Sequence, residues 1–154
     1  MEKAQVKILV VDDESRICEN VKKILSKNNY EVEIELNAQS AMDRLARESF
    51  SLLISDIVMP GKNGLELLKL VKQQWPLTKA VIMTAYASTD TAMKAIRLGA
   101  ADYIPKPGSN REVSASTAFR RALIEKIRQL GLRAKRLRQC RACGLEPLHL
   151  IVKL

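Results

Sequence analysis

Short runs of uninterrupted apolar residues constrain the fold of this 154-residue chain more than any other feature. The clearest lie at 7–11, 51–54 and 80–83. Because they do not alternate with polar residues, they predict strands buried on both faces, as in a parallel sheet. Weaker candidates lie at 32–36 and 101–104, and the alternation in the first of these favours an edge strand.

Segments of helical length and spacing separate these runs, and their boundary residues fit that interpretation. Ser15 and Asn37 are suited to helix starts and Gly99 to a helix end, while Asn63-Gly64 marks a loop after the third strand. Strand and helix alternate five times in about 125 residues. We therefore predict an α/β fold, a doubly wound five-stranded parallel sheet with helices on both faces. The flavodoxin-like order 2-1-3-4-5 is common at this size.

Composition agrees with a globular protein. Apolar residues make up 47% and aromatic residues 4% of the chain, which predicts an aliphatic core. No apolar stretch approaches the roughly 18 residues of a membrane span, and the chain starts without a signal peptide. Its three cysteines, an odd number, fit a reducing compartment. We expect a cytoplasmic protein without a membrane partner.

Charged and polar residues follow several of the predicted strands. Asp12 and Asp13 follow the first strand, Asp56 the third and Lys106 the fifth, and Thr84 ends the fourth. The carboxyl ends of parallel strands share one edge of the sheet, where such sheets bind ligands. Two carboxylates about 5 Å apart repel by roughly 3 kcal/mol at an effective dielectric near 20, so a raised pKa or a cation is expected. All-oxygen ligands beside a phosphate favour Mg²⁺.

This set of groups is suited to forming an aspartyl phosphate. A lysine and a hydroxyl can hold phosphoryl oxygens, and a metal can screen the incoming group from an anionic nucleophile. Serine or cysteine catalysis is not favoured, because the only histidine, His149, lies far along the chain.

Four stretches, in order, resemble the receiver domain of bacterial two-component response regulators. They lie at 8–14, 53–61, 83–86 and 98–107. The part from Ala85 to Pro107 most resembles receivers of enhancer-binding transcription activators. The resemblance implies a phosphorylation-dependent signalling switch, not an enzyme, that is linked to transcription regulation.

The same resemblance implies roles for individual residues. Asp56 would be the phosphoacceptor, and Mg²⁺ would be bound by Asp12, Asp13, Asp56 and the backbone carbonyl of Val58.

Further residues and partners follow from the resemblance. Thr84 and Lys106 would contact the phosphoryl group, and Tyr103 would be the aromatic residue that switches with Thr84. A sensor histidine kinase or a phosphotransfer protein would be the donor. A homodimer could form through the face of the fourth helix, fifth strand and fifth helix.

The last third of the chain carries most of the net charge of +9. Residues 1–106 hold 15 basic and 14 acidic side chains, whereas residues 107–154 hold 11 and 3. We predict a receiver domain over 1–125, with Phe119, Leu123 and Ile127 in its fifth helix. Residues 126–154 would be a basic extension, helical or disordered, and the only part expected to contact nucleic acid.

The sequence changes character after Pro107. Receivers continue with phenylalanine there, whereas this chain has Gly108. One hypothesis is that the residues after about 107 are truncated or non-native.

Two other classes of protein remain as alternatives. A haloacid-dehalogenase-like phosphatase also forms an aspartyl phosphate with Mg²⁺, but it needs two aspartates separated by one residue, and Asp12 and Asp13 are adjacent. A nucleic-acid-binding protein with a degenerate receiver and a basic tail is the second alternative.

Overall fold

The structure, a computed structural model, describes residues 5–85, 88–106 and 117–133. Its strands are β1 Lys7–Val11, β2 Glu31–Glu35, β3 Leu52–Ser55, β4 Lys79–Thr84 and β5 Asp102–Pro105. Its helices within these ranges are α1 Ser15–Lys27, α2 Ala38–Arg47, α3 Gly64–Gln74, α4 Thr89–Arg97 and a helix at Thr117–Gln129, here α5.

The five strands form one parallel sheet in the order β2-β1-β3-β4-β5. The predicted fold class and strand order are confirmed, including the edge position of β2. The central strands β1 and β3 pair in a register that sets Val11 opposite Ser55. Each of these residues is followed by an aspartate.

Two hydrophobic cores cover the two faces of the sheet. Ile8 and Val10 of β1 pack with α1 and α5, whereas Leu9 and Val11 pack with α2 and α3. Successive side chains of a strand point to opposite faces. A strand covered on both faces therefore needs apolar residues at every position, which explains the uninterrupted runs.

Helix starts agree with the sequence at one of the two predicted caps. Asn37 caps α2 by accepting a hydrogen bond from the backbone N–H of Ser40 at 2.8 Å. Ser15 is wrong as a cap, because it is the first residue of α1 and Glu14 occupies the capping position. Gly64, predicted to lie in a loop, is the first residue of α3, and Asn63 is its cap.

Helix α5 covers the sheet as predicted, with Phe119, Leu123 and Ile127 buried. It continues beyond residue 125 without a break, and Leu130 and Leu132 still pack against the core. A predicted domain boundary at 125 therefore falls inside a helix.

The chain beyond α5 is held beneath the amino-terminal edge of the sheet. Tyr30, before β2, donates its hydroxyl to the Leu132 carbonyl at 2.8 Å, and Lys79 at the start of β4 donates to the Leu130 carbonyl. Most of the predicted basic extension, residues 134–154, lies outside the described residues.

Membrane insertion finds no support in the part of the chain that is described. No helix in those residues combines the length and the apolar character needed to cross a bilayer.

Candidate functional site: an acidic pocket at the carboxyl edge of the sheet

The pairing of β1 with β3 brings two aspartates side by side. Asp56 donates its backbone N–H to the Val11 carbonyl at 3.0 Å, which places it beside Asp12. Asp12 in turn donates its backbone N–H to Glu35 at the end of β2, at 3.2 Å. The position of both acids is therefore set by backbone hydrogen bonds of the central strands.

Three carboxylates form one cluster at this edge. Asp12, Asp13 and Asp56 each offer an oxygen, and these oxygens lie within 4.8 Å of one another. Asp12 and Asp56 are buried, whereas Asp13 is exposed at the mouth. Val58 follows in the loop after β3 and is 54% exposed. A compact, partly buried set of carboxylate oxygens suits a hard divalent cation such as Mg²⁺.

Lys106 bridges the two buried acids. Its Nζ lies 2.5 Å from Asp12 Oδ2 and donates a hydrogen bond to Asp56 Oδ2 at 2.9 Å. The backbone N–H of Lys106 donates to the Thr84 carbonyl at 2.9 Å, which fixes the lysine beside the end of β4. The ammonium group therefore supplies the positive charge that the acids require.

The pocket raises the pKa values of both Asp12 and Lys106. Burial raises the pKa of Asp12 to about 6, although the hydrogen bond from Lys106 acts in the opposite direction. Burial acts to lower the pKa of Lys106, but its hydrogen bonds with Asp12 and Asp56 outweigh that effect, and the net change is upward. Lys106 is therefore charged near neutral pH, and Asp12 takes up a proton on mild acidification.

Thr84 and Tyr103 lie on the neighbouring strands. Thr84 ends β4, is fully buried and is paired with Pro105 across the sheet, so it lies at the edge with Lys106. Tyr103 is paired with Ile82, two positions further from that edge. Its hydroxyl is buried, with no hydrogen-bond partner among the described residues. Burial raises the pKa of the Tyr103 phenol.

The structure thus brings together most of the residues predicted from sequence. Asp12, Asp13, Asp56 and Lys106 form one pocket, and Thr84 reaches the same edge. Tyr103 is set back from them, in the core between the sheet and α2, α3 and α4.

Sequence reasoning missed two residues that shape the pocket. A Cβ added at Gly64 would lie 1.8 Å from the Asp56 carbonyl oxygen, so the start of α3 approaches the loop after β3 too closely for any side chain. Cys18 of α1 is buried behind the pocket and donates its thiol to the Asp12 carbonyl at 3.4 Å. The Asn63-Gly64 pair did signal Gly64, as a turn, but no local pattern signals Cys18.

Together these features define a doubly wound α/β domain whose ligand pocket is built from three carboxylates and a lysine. The chain belongs to the response regulator receiver domain family, since the sequence profile described as "Response regulator receiver domain" matches residues 8–118. It is accordingly a receiver of two-component signalling.

Two relatives illustrate the proteins in which similar sequences occur. The transcriptional regulatory protein ZraR of Klebsiella oxytoca is 40% identical over 103 residues, which are 67% of this chain and 23% of ZraR. A protein-glutamate methylesterase/protein-glutamine glutaminase of Azospirillum brasilense is 32% identical over 149 residues, 94% of this chain and 38% of that enzyme. The chain thus spans less than two fifths of either relative.

Solved structures share the fold. The response regulator TrrA of Thermotoga maritima, in complex with Mg²⁺ and beryllofluoride, is 29% identical with a TM-score of 0.67, and the match covers 82% of this chain and 99% of that one. These comparisons give no support to the phosphatase alternative or to a degenerate receiver. The family match also continues to residue 118, beyond residue 107 where the sequence motifs end.

Proposed function

We propose that Asp56 accepts a phosphoryl group from a phosphohistidine on a sensor histidine kinase or a phosphotransfer protein. One observation carries the proposal: the Asp56 carboxylate lies at the carboxyl edge of the sheet between two further acids and the Lys106 ammonium. A nucleophile needs an approach from solvent and groups that stabilise charge on the transferred phosphoryl oxygens. Asp56 has both, because the pocket opens at the exposed Asp13.

Asp12, Asp13, Asp56 and the Val58 carbonyl are the groups that would bind Mg²⁺. The ion would supply positive charge that offsets the repulsion among the carboxylates and neutralises charge on the transferred group. Support comes from the oxygen-only donor set of the cluster.

In the transfer itself, one oxygen of Asp56 forms a bond to phosphorus while the phosphorus–nitrogen bond of the donor breaks. The electron pair of that bond returns to the imidazole nitrogen. Lys106 then moves its hydrogen bond from Asp56 Oδ2 to an oxygen of the phosphoryl group. This exchange is short, since Lys106 already lies 2.9 Å from Asp56.

Thr84 and Tyr103 would convert the modification into a conformational change. The Thr84 hydroxyl would donate to a phosphoryl oxygen, and Tyr103 would change its position in the active state. A buried hydroxyl without a described partner favours such a change, because an unsatisfied polar group destabilises its present position. The result is a population shift between two states.

A direct test is labelling with a small phosphodonor such as acetyl phosphate in the presence of Mg²⁺. Wild-type protein should gain one phosphoryl group that mass spectrometry places on Asp56. The Asp56→Asn variant should gain none, because the amide is not a nucleophile. Asp43→Asn is the matched control, since Asp43 is an exposed acid on α2, and it should label like wild type. Retained labelling of Asp56→Asn would contradict the assignment.

We further propose that the active form pairs through the face of α4, β5 and α5. Support comes from Met93 and Ile96 of α4, which are 47% and 52% exposed. Beryllofluoride with Mg²⁺ should double the mass of the wild type in sedimentation, and Ile96→Glu should stay monomeric because it places a charge in the apolar contact. Leu36→Glu, at an exposed apolar residue beyond β2, is the control and should still dimerise.

The remaining expectations belong to the same proposal. The receiver unit, expected over residues 1–125, is proposed to extend to about residue 133, supported by the core contacts of Leu130 and Leu132. Its output is transcription regulation, supported by relatives such as ZraR, and the chain acts in the cytoplasm as a phosphoacceptor, not as a turnover enzyme. Residues 134–154 would be the only part with a role in nucleic-acid binding.

A further inference from the structure

A cleft lies at the edge of the sheet opposite the acidic pocket. It has a volume of about 510 Å³ and is formed between the end of α2 and the segment that joins α3 to β4. Its lining includes the apolar side chains of Leu45, Phe50, Trp75, Pro76 and Leu77. The proposed phosphotransfer uses none of these residues.

The lip of this cleft is unusually apolar for a surface in contact with water. Leu77 is 94% exposed, the most exposed of the large hydrophobic residues that the structure describes. Trp75 beside it is only partly buried. An apolar patch bordering a cleft commonly marks a binding surface.

The chain leaves α5 close to this cleft. The Leu130 carbonyl accepts a hydrogen bond from Lys79, which directly follows the cleft residue Thr78. Residues 130–133 therefore lie under the same edge of the sheet as the cleft.

The sequence that follows has a basic part and then an apolar part. Residues 134–144 include Lys135, Arg136, Arg138 and Arg141, whereas six of the ten residues in 145–154 are aliphatic. Eleven extended residues span up to about 36 Å, so 134–144 can bridge the distance from Arg133 to the cleft. An aliphatic segment in water gains free energy by covering apolar surface.

We propose that residues 145–154 dock into the cleft of Leu45, Phe50, Trp75, Pro76 and Leu77 on the same chain. The occupant is this segment because residues 130–133 lie beside the cleft and residues 145–154 carry apolar side chains that can cover its apolar lining. Docking removes Leu77 and the Trp75 ring from water. It links the end of α5 to the α2–α3 side of the sheet.

Trp75 provides the test, since it is the only tryptophan in the chain. Acrylamide quenching of its fluorescence should be compared between the full-length wild type and the full-length L150S/I151S/V152S variant. The quenching constant should rise about twofold in the variant, because release of the segment exposes the large indole ring to solvent. An equal quenching constant in the two proteins would overturn the proposal.

A matched control replaces the same number of residues in the basic part. The K135S/R136S/R138S variant should quench like wild type, because it keeps the aliphatic residues, and an increase as large as that of L150S/I151S/V152S would overturn the proposal. By itself, Leu77→Ser should raise the quenching constant. Combined with L150S/I151S/V152S it should add little, since both changes remove the same contact. Fully additive effects would show that the segment binds elsewhere.

Dilution distinguishes docking of residues 145–154 of the same chain from docking of a second copy of the chain. Shielding of Trp75 within one chain does not change with protein concentration, whereas shielding by another copy is lost on dilution. A quenching constant that rises on dilution, with a parallel fall in mass by sedimentation, would assign the cleft to a dimer and overturn the proposal.

Discussion

At the scale of single residues, Lys106 governs the electrostatics of the pocket. An isolated buried charge is strongly unfavourable, and one cation here serves two buried carboxylates. One ammonium group cannot neutralise two carboxylates, and burial still raises the pKa of Asp12 although the hydrogen bond from Lys106 opposes that change. A divalent cation would remove this imbalance.

The raised pKa of Asp12 predicts a dependence of stability on pH. Because the pKa of about 6 in the folded protein lies above the ordinary aspartate value of 3.8, the folded state binds the proton more tightly than the unfolded state does. The contribution of Asp12 to stability is then complete below about pH 4 and is lost as pH rises through 6. Asp12→Asn carries no such charge, so without Mg²⁺ at pH 8 it should be more stable than wild type by about 3 kcal/mol.

Urea unfolding at several pH values, with and without Mg²⁺, measures this difference. The stability advantage of Asp12→Asn should shrink towards pH 4. It should also fall when Mg²⁺ is added, because wild type gains a ligand that the variant binds less well. Asp13→Asn is the control and should stabilise by less, since Asp13 is exposed. An Asp12→Asn variant less stable than wild type at pH 8 would show that Lys106 fully compensates the buried charge.

At the scale of elements, the start of α3 fixes the loop that follows Asp56, the proposed phosphoacceptor. Gly64 donates its backbone N–H to the Ile57 carbonyl at 2.8 Å and lies against the Asp56 carbonyl. Only a residue without a side chain allows this approach. The loop after β3 is therefore held between β3 and the first turn of α3.

Gly61 in this loop and Gly64 at the start of α3 provide a matched pair of substitutions. Gly64→Ala should lower the stability by about 3 kcal/mol, because the new Cβ forces backbone apart, and it should slow labelling of Asp56. Gly61→Ala should lower the stability by only about 1 kcal/mol. Its φ of 77° is strained for alanine, but no atom lies within 4 Å of the new Cβ. Chemical denaturation and labelling rates measure both effects. Equal losses would show that the close approach at Gly64 is relaxed in solution.

The positions of strands and helices could be predicted from sequence where burial determines which residues they contain. Strands buried on both faces were located within one or two residues, because every position had to be apolar. The capping residue of α1 was not predicted correctly, since Asp12 Oδ1 accepts the Glu14 backbone N–H at 2.9 Å and Glu14, not Ser15, occupies the capping position. That hydrogen bond depends on the position of Asp12 in the sheet, which no local rule for helix caps contains.

At the scale of the whole molecule, contacts far apart in sequence join α5 to the sheet. Lys126 donates to Asp102 at 3.0 Å and to the Tyr103 carbonyl at 2.5 Å, so α5 is fixed to the strand of the proposed switch. Tyr30, next to the opposite edge strand β2, fixes the chain after α5. The sequence predicted that α5 covers the sheet but contained no sign of these long-range hydrogen bonds.

Tyr30→Phe tests the contribution of one such bond. The variant should lose about 1 kcal/mol of stability, because the Leu132 carbonyl loses its protein donor while the ring stays packed. Hydrogen exchange near residues 130–133 should become faster, and exchange in β1 should change only as far as global stability does. Unchanged exchange at 130–133 would show that apolar packing of Leu130 and Leu132 alone holds this segment.

Side-chain geometry in the pocket marks the limit of prediction from sequence. The order of strands and the polar residues at their ends indicated which groups meet. The bridging position of Lys106 and the exposure of Asp13 depend on the register between strands and on side-chain packing. Neither follows from spacing along the chain.

The hydrogen bonds to the Leu130 and Leu132 carbonyls also determine the end of the sheet from which the chain continues. Strands of four to six residues are about 13–20 Å long, and the chain beyond Arg133 sets out from the end of the sheet remote from Asp56. A module joined there starts at the opposite pole from the modified aspartate. A structural change that starts at Asp56 would have to reach such a module through displacement of the sheet and α5, and not through contact with the phosphoryl group.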